Sequence, residues 1–138
     1  MLFRSFINPK SEWVNPHVDT PHRFDKWASD QTLLGIQCIT PLYDLDMNNG
    51  ATGLVPNSQK KNFAIDMCYK GYYNGYFSRN YIQPEVKKGS VLMYNCRLLH
   101  SSMPNPTDQQ RPAILFNYID SSIIDELRTV DNIWNSNG

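Results

Sequence analysis

The sequence predicts a mainly β domain of the jelly-roll or cupin-like barrel class, with little helix. Three observations carry that expectation: about eight short apolar stretches, turn residues recurring between them, and no long segment of helical period. At 138 residues the chain is long enough to bury its own core, so we read residues 1–138 as a single domain.

The elements follow in order. Leu2–Ile7 reads as a strand, followed by a turn at Asn8-Pro9-Lys10-Ser11 and a second extended piece around Trp13. Pro16 pushes Asn15 away from the helical region, so His17, Val18 and Asp19 continue an extended segment. Thr20–Asp30 is polar and aromatic and reads as a loop. Thr32–Leu42 is the most apolar run of the first half, a central strand ended by Pro41. Tyr43–Gly53 is a loop whose Asn49-Gly50 is the strongest tight-turn signal in the chain. Leu54–Pro56 and Lys60–Ile65 are short strand candidates, and the Tyr- and Gly-rich stretch 66–80 reads as a long loop or lid. Strands are expected at Tyr81–Val86, Val91–Asn95, Leu98–Ser102 and Arg111–Ile119, with turns at 87–90 and 104–110. A terminal helix is expected over Ser122–Thr129.

Thirteen basic and thirteen acidic residues cancel, and neither sign forms a long run, which argues against nucleic acid or a membrane surface as partner. Cys38, Cys68 and Cys96 are widely spaced and odd in number, so a disulfide framework is not indicated. No signal-peptide pattern or membrane-length apolar run stands out, and the expected location is cytoplasmic.

Chemistry concentrates at two places. In a strand, residues i and i+2 share a face, so His17 and Asp19 can point at one metal ion while Val18 points away. His100 ends the apolar run Leu98-Leu99 and supplies a third ligand. Two imidazoles and one carboxylate on one face of a metal leave adjacent positions open, the arrangement of iron(II) oxygenases, whereas zinc favours a closed tetrahedral set or three ligands and a water. Arg111, held extended by Pro112, is expected on a neighbouring antiparallel strand, where its guanidinium can grip a carboxylate. Ser102 shares the face of His100 and can help bind the same group. The set suits a dicarboxylate that chelates the metal at one end.

These residues resemble the phytanoyl-CoA dioxygenase family of iron(II)- and 2-oxoglutarate-dependent oxygenases. The matching stretches are His17-Val18-Asp19, Asp46–Ala51 leading to Val55–Ser58, Lys88–Val91, Leu99–Ser102 with Pro104-Asn105, and Arg111. The resemblance implies a double-stranded β-helix, with His17, Asp19 and His100 holding iron and with Arg111 and Ser102 binding the distal carboxylate of 2-oxoglutarate. It further implies hydroxylation of a small-molecule substrate with dioxygen, releasing succinate and carbon dioxide. Asp19 argues against the halogenase variant, in which a small residue replaces the carboxylate. The chain departs from the family in two places. Most of the usual N-terminal helical segment before His-x-Asp is lacking, which leaves room for self-association into a homo-oligomer. Pro56-Asn57-Ser58-Gln59 stands where Pro-Gly-Ser-His is frequent.

Blander roles remain for each residue. The three ligands can be ordinary polar side chains, Arg111 a surface ion-pair partner and Ser102 a solvated strand end. His22 is expected beside the triad rather than in it, and Trp27, Tyr69, Tyr72, Tyr73 and Tyr76 pack or line a substrate mouth. The competing class is a catalytically silent cupin-like protein that binds a metal or ligand without turnover. A metal-dependent isomerase, or a cupin dioxygenase that uses no 2-oxo acid, fits the ligands but leaves Arg111 unexplained.

Overall fold

The computed structural model describes residues 2–19 and 33–125. Two antiparallel sheets face one another, a mainly β arrangement with two short α-helices lying within the described residues. The larger sheet contains β1 (Leu2–Ile7), β2 (Gly35–Pro41), β4 (Leu92–Asn95) and β6 (Arg111–Ile119), in the order β1-β6-β2-β4. The smaller pairs β3 (Gly53–Leu54) with β5 (His100–Ser101). Single bridges widen it, with Ile82 against Leu54 on one side and His17 against His100 on the other.

The register explains which residues face inward. On β2, Gln37 and Ile39 point between the sheets, as do Ala113 and Leu115 on β6. Ile39, Leu54, Tyr94 and Ala113 form the core there, with Leu92, Leu98 and Leu115 packed on it. A second plug of Leu45, Ala51 and Val86 closes one end against Ile7. The opposite face of the larger sheet leaves Met93 and Tyr118 exposed.

The stretch expected as a lid is helical. Residues 65–80 form α1 (Ile65–Tyr69) and α2 (Asn74–Asn80), and Lys60–Ile65 runs from a 3-10 turn at Ser58–Lys60 into α1 instead of forming a strand. The cause is packing. Tyr73, Phe77 and Tyr81 recur at i and i+4 and so meet on one helical face. Phe77 is fully buried and stacks on Tyr81 with ring centroids 5.1 Å apart. Phe77 packs with Val18, Val55, Phe63, Cys68, Leu99 and Met103 on the outer side of the smaller sheet. Gly71, with φ +74°, ends α1: its N–H donates to the Cys68 carbonyl and that of Tyr72 to the Met67 carbonyl, a left-handed helix stop.

Three further expectations change. Tyr81–Val86 contributes only isolated bridges, Ile82 to Leu54 and Val86 to Leu45, instead of a strand. Six strands, not about eight, occur among the described residues, since extended segments such as 11–17 pair at single positions. His100 and Arg111 do not stand on neighbouring strands: β5 pairs with β3, while β6 pairs with β1 and β2, so residues 102–110 carry the chain from one sheet to the other. Asn105 fixes that crossover. Fully buried, it donates from Nδ2 to the carbonyls of Asn8 and Gln109 and accepts at Oδ1 from Thr107. The helix expected over Ser122–Thr129 falls largely outside the described residues, which show a 3-10 turn at Ser121–Ile123 and end at residue 125. The loop expected over Thr20–Asp30 lies outside them too. Among the described residues no helix is long and apolar enough to cross a membrane.

Candidate metal centre

The segment bearing His17 adds itself to the smaller sheet through a reciprocal pair of main-chain bonds. His17 N donates to the His100 carbonyl at 2.9 Å and His100 N to the His17 carbonyl at 3.0 Å. Two residues on, Asp19 N donates to the Cys96 carbonyl at 2.8 Å. The strand period then separates the side chains: Val18 enters the core beneath the helices, while His17 and Asp19 turn to the interior between the sheets.

Ligand atoms of His17, Asp19 and His100 lie within 4.8 Å of one another. Asp19 Oδ1 is 3.8 Å from His17 Nε2, and Oδ2 is 3.2 Å from His100 Nε2. Each imidazole also reaches a carbonyl two residues upstream, His17 Nδ1 to Asn15 O and His100 Nδ1 to Leu98 O, both at 2.9 Å. A ring that donates from Nδ1 to its carbonyl turns Nε2 toward the Asp19 side chain, where a metal-ligating histidine would present its lone pair to a cation. Burial depresses the His100 pKa, but the Asp19 charge, its hydrogen bond and the Leu98 carbonyl outweigh that and hold it above the ordinary value. The pocket therefore attracts positive charge, and a donor set of two imidazole nitrogens and a carboxylate fits a divalent transition metal.

The three residues open on a cavity of about 120 Å³ between the sheets, bounded by Ile39, Leu45 and Leu115 and by the polar groups of Gln37, Thr52 and Ser102. Ser102 is exposed at its edge. Arg111 is not among the cavity walls, although it shares a strand face with Ala113 and Leu115 and pairs in register with Ile7, all three of which are. Its Nη1 donates to Gln109 Oε1 at 2.7 Å, and the guanidinium lies 5.7 Å from the Tyr43 ring centre. Its Nε is buried without an acceptor. A buried donor lacking a partner is costly, and a carboxylate from a ligand would satisfy it.

Residues the sequence reading did not single out are Gln37, Thr52 and Tyr94. Gln37 carried a signal, being a polar residue inside an apolar strand. Thr52 and Tyr94 carried none, because only the pairing of the sheets brings them here. The Tyr94 ring lies 4.9 Å from that of His100, and its phenol is pushed well up by burial and by the Asp19 charge. Burial also raises the three thiols, Cys68 to about 11 and Cys38 and Cys96 upward as well, which suits inert packing residues. Of the aromatic residues, Tyr73 and Tyr76 pack on Phe63, whereas Tyr69 and Tyr72 are exposed. His22 and Trp27 lie outside the described residues.

Solved structures share this fold. EctD from S. alaskensis with 2-oxoglutarate and 5-hydroxyectoine aligns with TM-score 0.68 and 18% identity over 88% of this chain and 45% of its own. The non-haem α-ketoglutarate-dependent epimerase SnoN from nogalamycin biosynthesis gives 0.66 and 20% over 87% and 48%. AviO1 from Streptomyces viridochromogenes Tue57 gives 0.65 and 19% over 88% and 50%. The chain thus spans half of AviO1 and only 26% of a further match, EvdMO1. At such identities the likeness establishes the jelly-roll, double-stranded β-helix fold. No curated protein sequence matches the chain significantly. Residues 3–113 match the profile of the phytanoyl-CoA dioxygenase (PhyH) family, and with that match over most of its length the chain belongs to this family.

Proposed function

We propose that the protein is an iron(II)- and 2-oxoglutarate-dependent dioxygenase that hydroxylates a small molecule. The observation that carries this reading is the convergence of His17, Asp19 and His100, with ligand atoms within 4.8 Å, at the wall of a cavity between the two sheets. In this reading those three residues hold iron, and Arg111 and Ser102 take the distal carboxylate of the 2-oxo acid. The chemistry supplied at that position is the coupling of 2-oxo acid decarboxylation by dioxygen to oxidation of a C–H bond, with release of succinate and carbon dioxide.

The chain's own residues prepare the site. The Asn15 and Leu98 carbonyls hold both rings with Nε2 turned toward Asp19, so a bound cation would meet imidazoles already oriented. The Arg111 Nε donor is already desolvated, and an acceptor there forms a charge-assisted bond in a low-dielectric setting. Ile39, Leu45, Ala113 and Leu115 limit water beside the donors, while Gln37 and Thr52 offer hydrogen bonds to a polar ligand. The Asp19 carboxylate would neutralise part of the charge of a bound metal.

The test is an anaerobic titration of the metal-free protein with iron(II) and then 2-oxoglutarate, following the visible charge-transfer band of the chelate. A band that forms in the parent and needs far more 2-oxoglutarate in Arg111→Ala, with iron binding retained, supports the assignment. Iron binding with neither band nor 2-oxoglutarate decarboxylation would favour a ligand-binding protein without turnover.

A further inference from the structure

We propose that Asn15 is the positioning residue for His17, tying the ring of that ligand to the helical cover formed by α1 and α2. The consequence for metal binding rests on the function proposed above, whereas the linkage is a property of the polypeptide alone.

Asn15 uses every polar group it has except its main-chain N–H. Its backbone carbonyl accepts from His17 Nδ1 at 2.9 Å. Its Nδ2 donates to the carbonyl of Tyr69, the last residue of α1, at 3.1 Å. Its Oδ1 accepts from Nδ2 of Asn74, the first residue of α2, also at 3.1 Å. One amide therefore bridges both helices at the corner where they meet, and the same residue's carbonyl sets the imidazole.

The local backbone is built for that contact. Pro16 is fully buried and restricts Asn15 to an extended conformation, which fixes where its carbonyl points. Gly71 forms the corner between the helices at φ +74°. A Cβ there would lie 2.9 Å from Asn74 Nδ2, displacing the group that Asn15 accepts from.

His100 provides the contrast within the same molecule. Its Nδ1 also bonds a carbonyl two residues upstream, but Leu98 is held by the main-chain bond from its own N–H to the Asn95 carbonyl, with no helix involved. The two ligands thus differ in what holds them. A cavity of about 360 Å³ lies between the His17 strand and α1, lined by Asn15, His17, Asp19, Cys68 and Tyr69 among others. A molecule filling it touches the helical cover and the ligand together, and Asn15 makes their positions interdependent.

The test compares the parent, Asn15→Ala and Asn74→Ala as metal-free proteins, at a pH where both imidazoles are neutral. Long-range 1H–15N correlation spectra read the tautomer of each ring. In the parent the neutral His17 ring carries its proton on Nδ1, beside the Asn15 carbonyl, whereas His100 divides its proton between the Leu98 carbonyl and Asp19 Oδ2. In Asn15→Ala, His17 shifts to a mixture of tautomers, His100 stays unchanged, and amides of residues 65–80 exchange faster. Cobalt(II) affinity falls about tenfold, the usual scale for losing a group that orients a metal ligand.

Asn15 is exposed, so its truncation strands no buried polar group. Should that variant fail to fold, Asn74→Ala removes one of the two ties from outside the strand and must move His17 in the same direction. An unchanged His17 tautomer in a folded variant overturns the proposal, as does an equal shift of His17 and His100, which would signify general loosening. A selective His17 shift in a protein whose parent binds no cobalt(II) upholds the positioning role and removes the metal reading instead.

Discussion

His17 and His100 reach the same geometry from opposite sides of one antiparallel pair, and Asp19 sits where its two oxygens address one ring each. In the proposed site, removing one of the three donors would leave the other two unable to complete the set. His17→Ala should therefore abolish iron(II) binding at concentrations that saturate the parent, measured by equilibrium dialysis, and undiminished binding would dismiss the triad. The Asp19–His100 pair also gives the metal-free protein a pH dependence. The folded pKa of His100 is raised above its ordinary value of 6.5, so the proton is bound more tightly in the native state. That stabilisation is fully present below the unfolded value and is lost as pH rises through the folded one. Denaturant midpoints of the metal-free protein should fall across that window, and Asp19→Asn should flatten the trend.

At the scale of elements, the site depends on two tight places that hold segments against the sheets. Gly50, at φ +89°, follows Asn49 in the turn, and a Cβ there would lie 2.9 Å from Ile7 Cγ2 and 3.1 Å from the Met103 carbonyl. Ile7 ends β1 and also lines the cavity. Gly50→Ala combines backbone strain with overpacking and should cost about 1–3 kcal/mol in urea unfolding. Gly89→Ala isolates the first component, since Gly89 has φ +77° but open space around it, and should cost about 1 kcal/mol. Equal losses would show that the contact with Ile7 is unimportant. The second tight place is the Gly71 corner, where the helix stop brings Asn74 up to Asn15. The Lys70-Gly71 pair and the Tyr73, Phe77, Tyr81 spacing were visible in the sequence. The many tyrosines and glycines masked them by suggesting a loop.

For the whole molecule, the donors of the site come from both ends of the described chain and are assembled only in the folded state. A metal that binds that state alone must stabilise it by mass action, by about 2.7 kcal/mol at a hundredfold excess over the dissociation constant. Thermal unfolding should shift upward with iron(II) or cobalt(II) under anaerobic conditions, return on chelation, and remain unmoved in His17→Ala. A shift that survives that substitution would place the ion elsewhere.

The sequence by itself determined the long strands β1 and β6 to their end residues, because each is an uninterrupted extended run bounded by turn or proline signals. It also determined the opposed orientation of Val18 to His17 and Asp19, which follows from strand period alone. Only the tertiary structure decided that His100 and Arg111 lie in different sheets, that residues 65–80 are helical, and that Gln37, Thr52 and Tyr94 share the cavity with the triad. Those features depend on which strands pair and which faces meet. Pairing is a contest among long-range partners, and the local signals present here, Gln37 within an apolar run and the Tyr73, Phe77, Tyr81 spacing, do not say which faces meet.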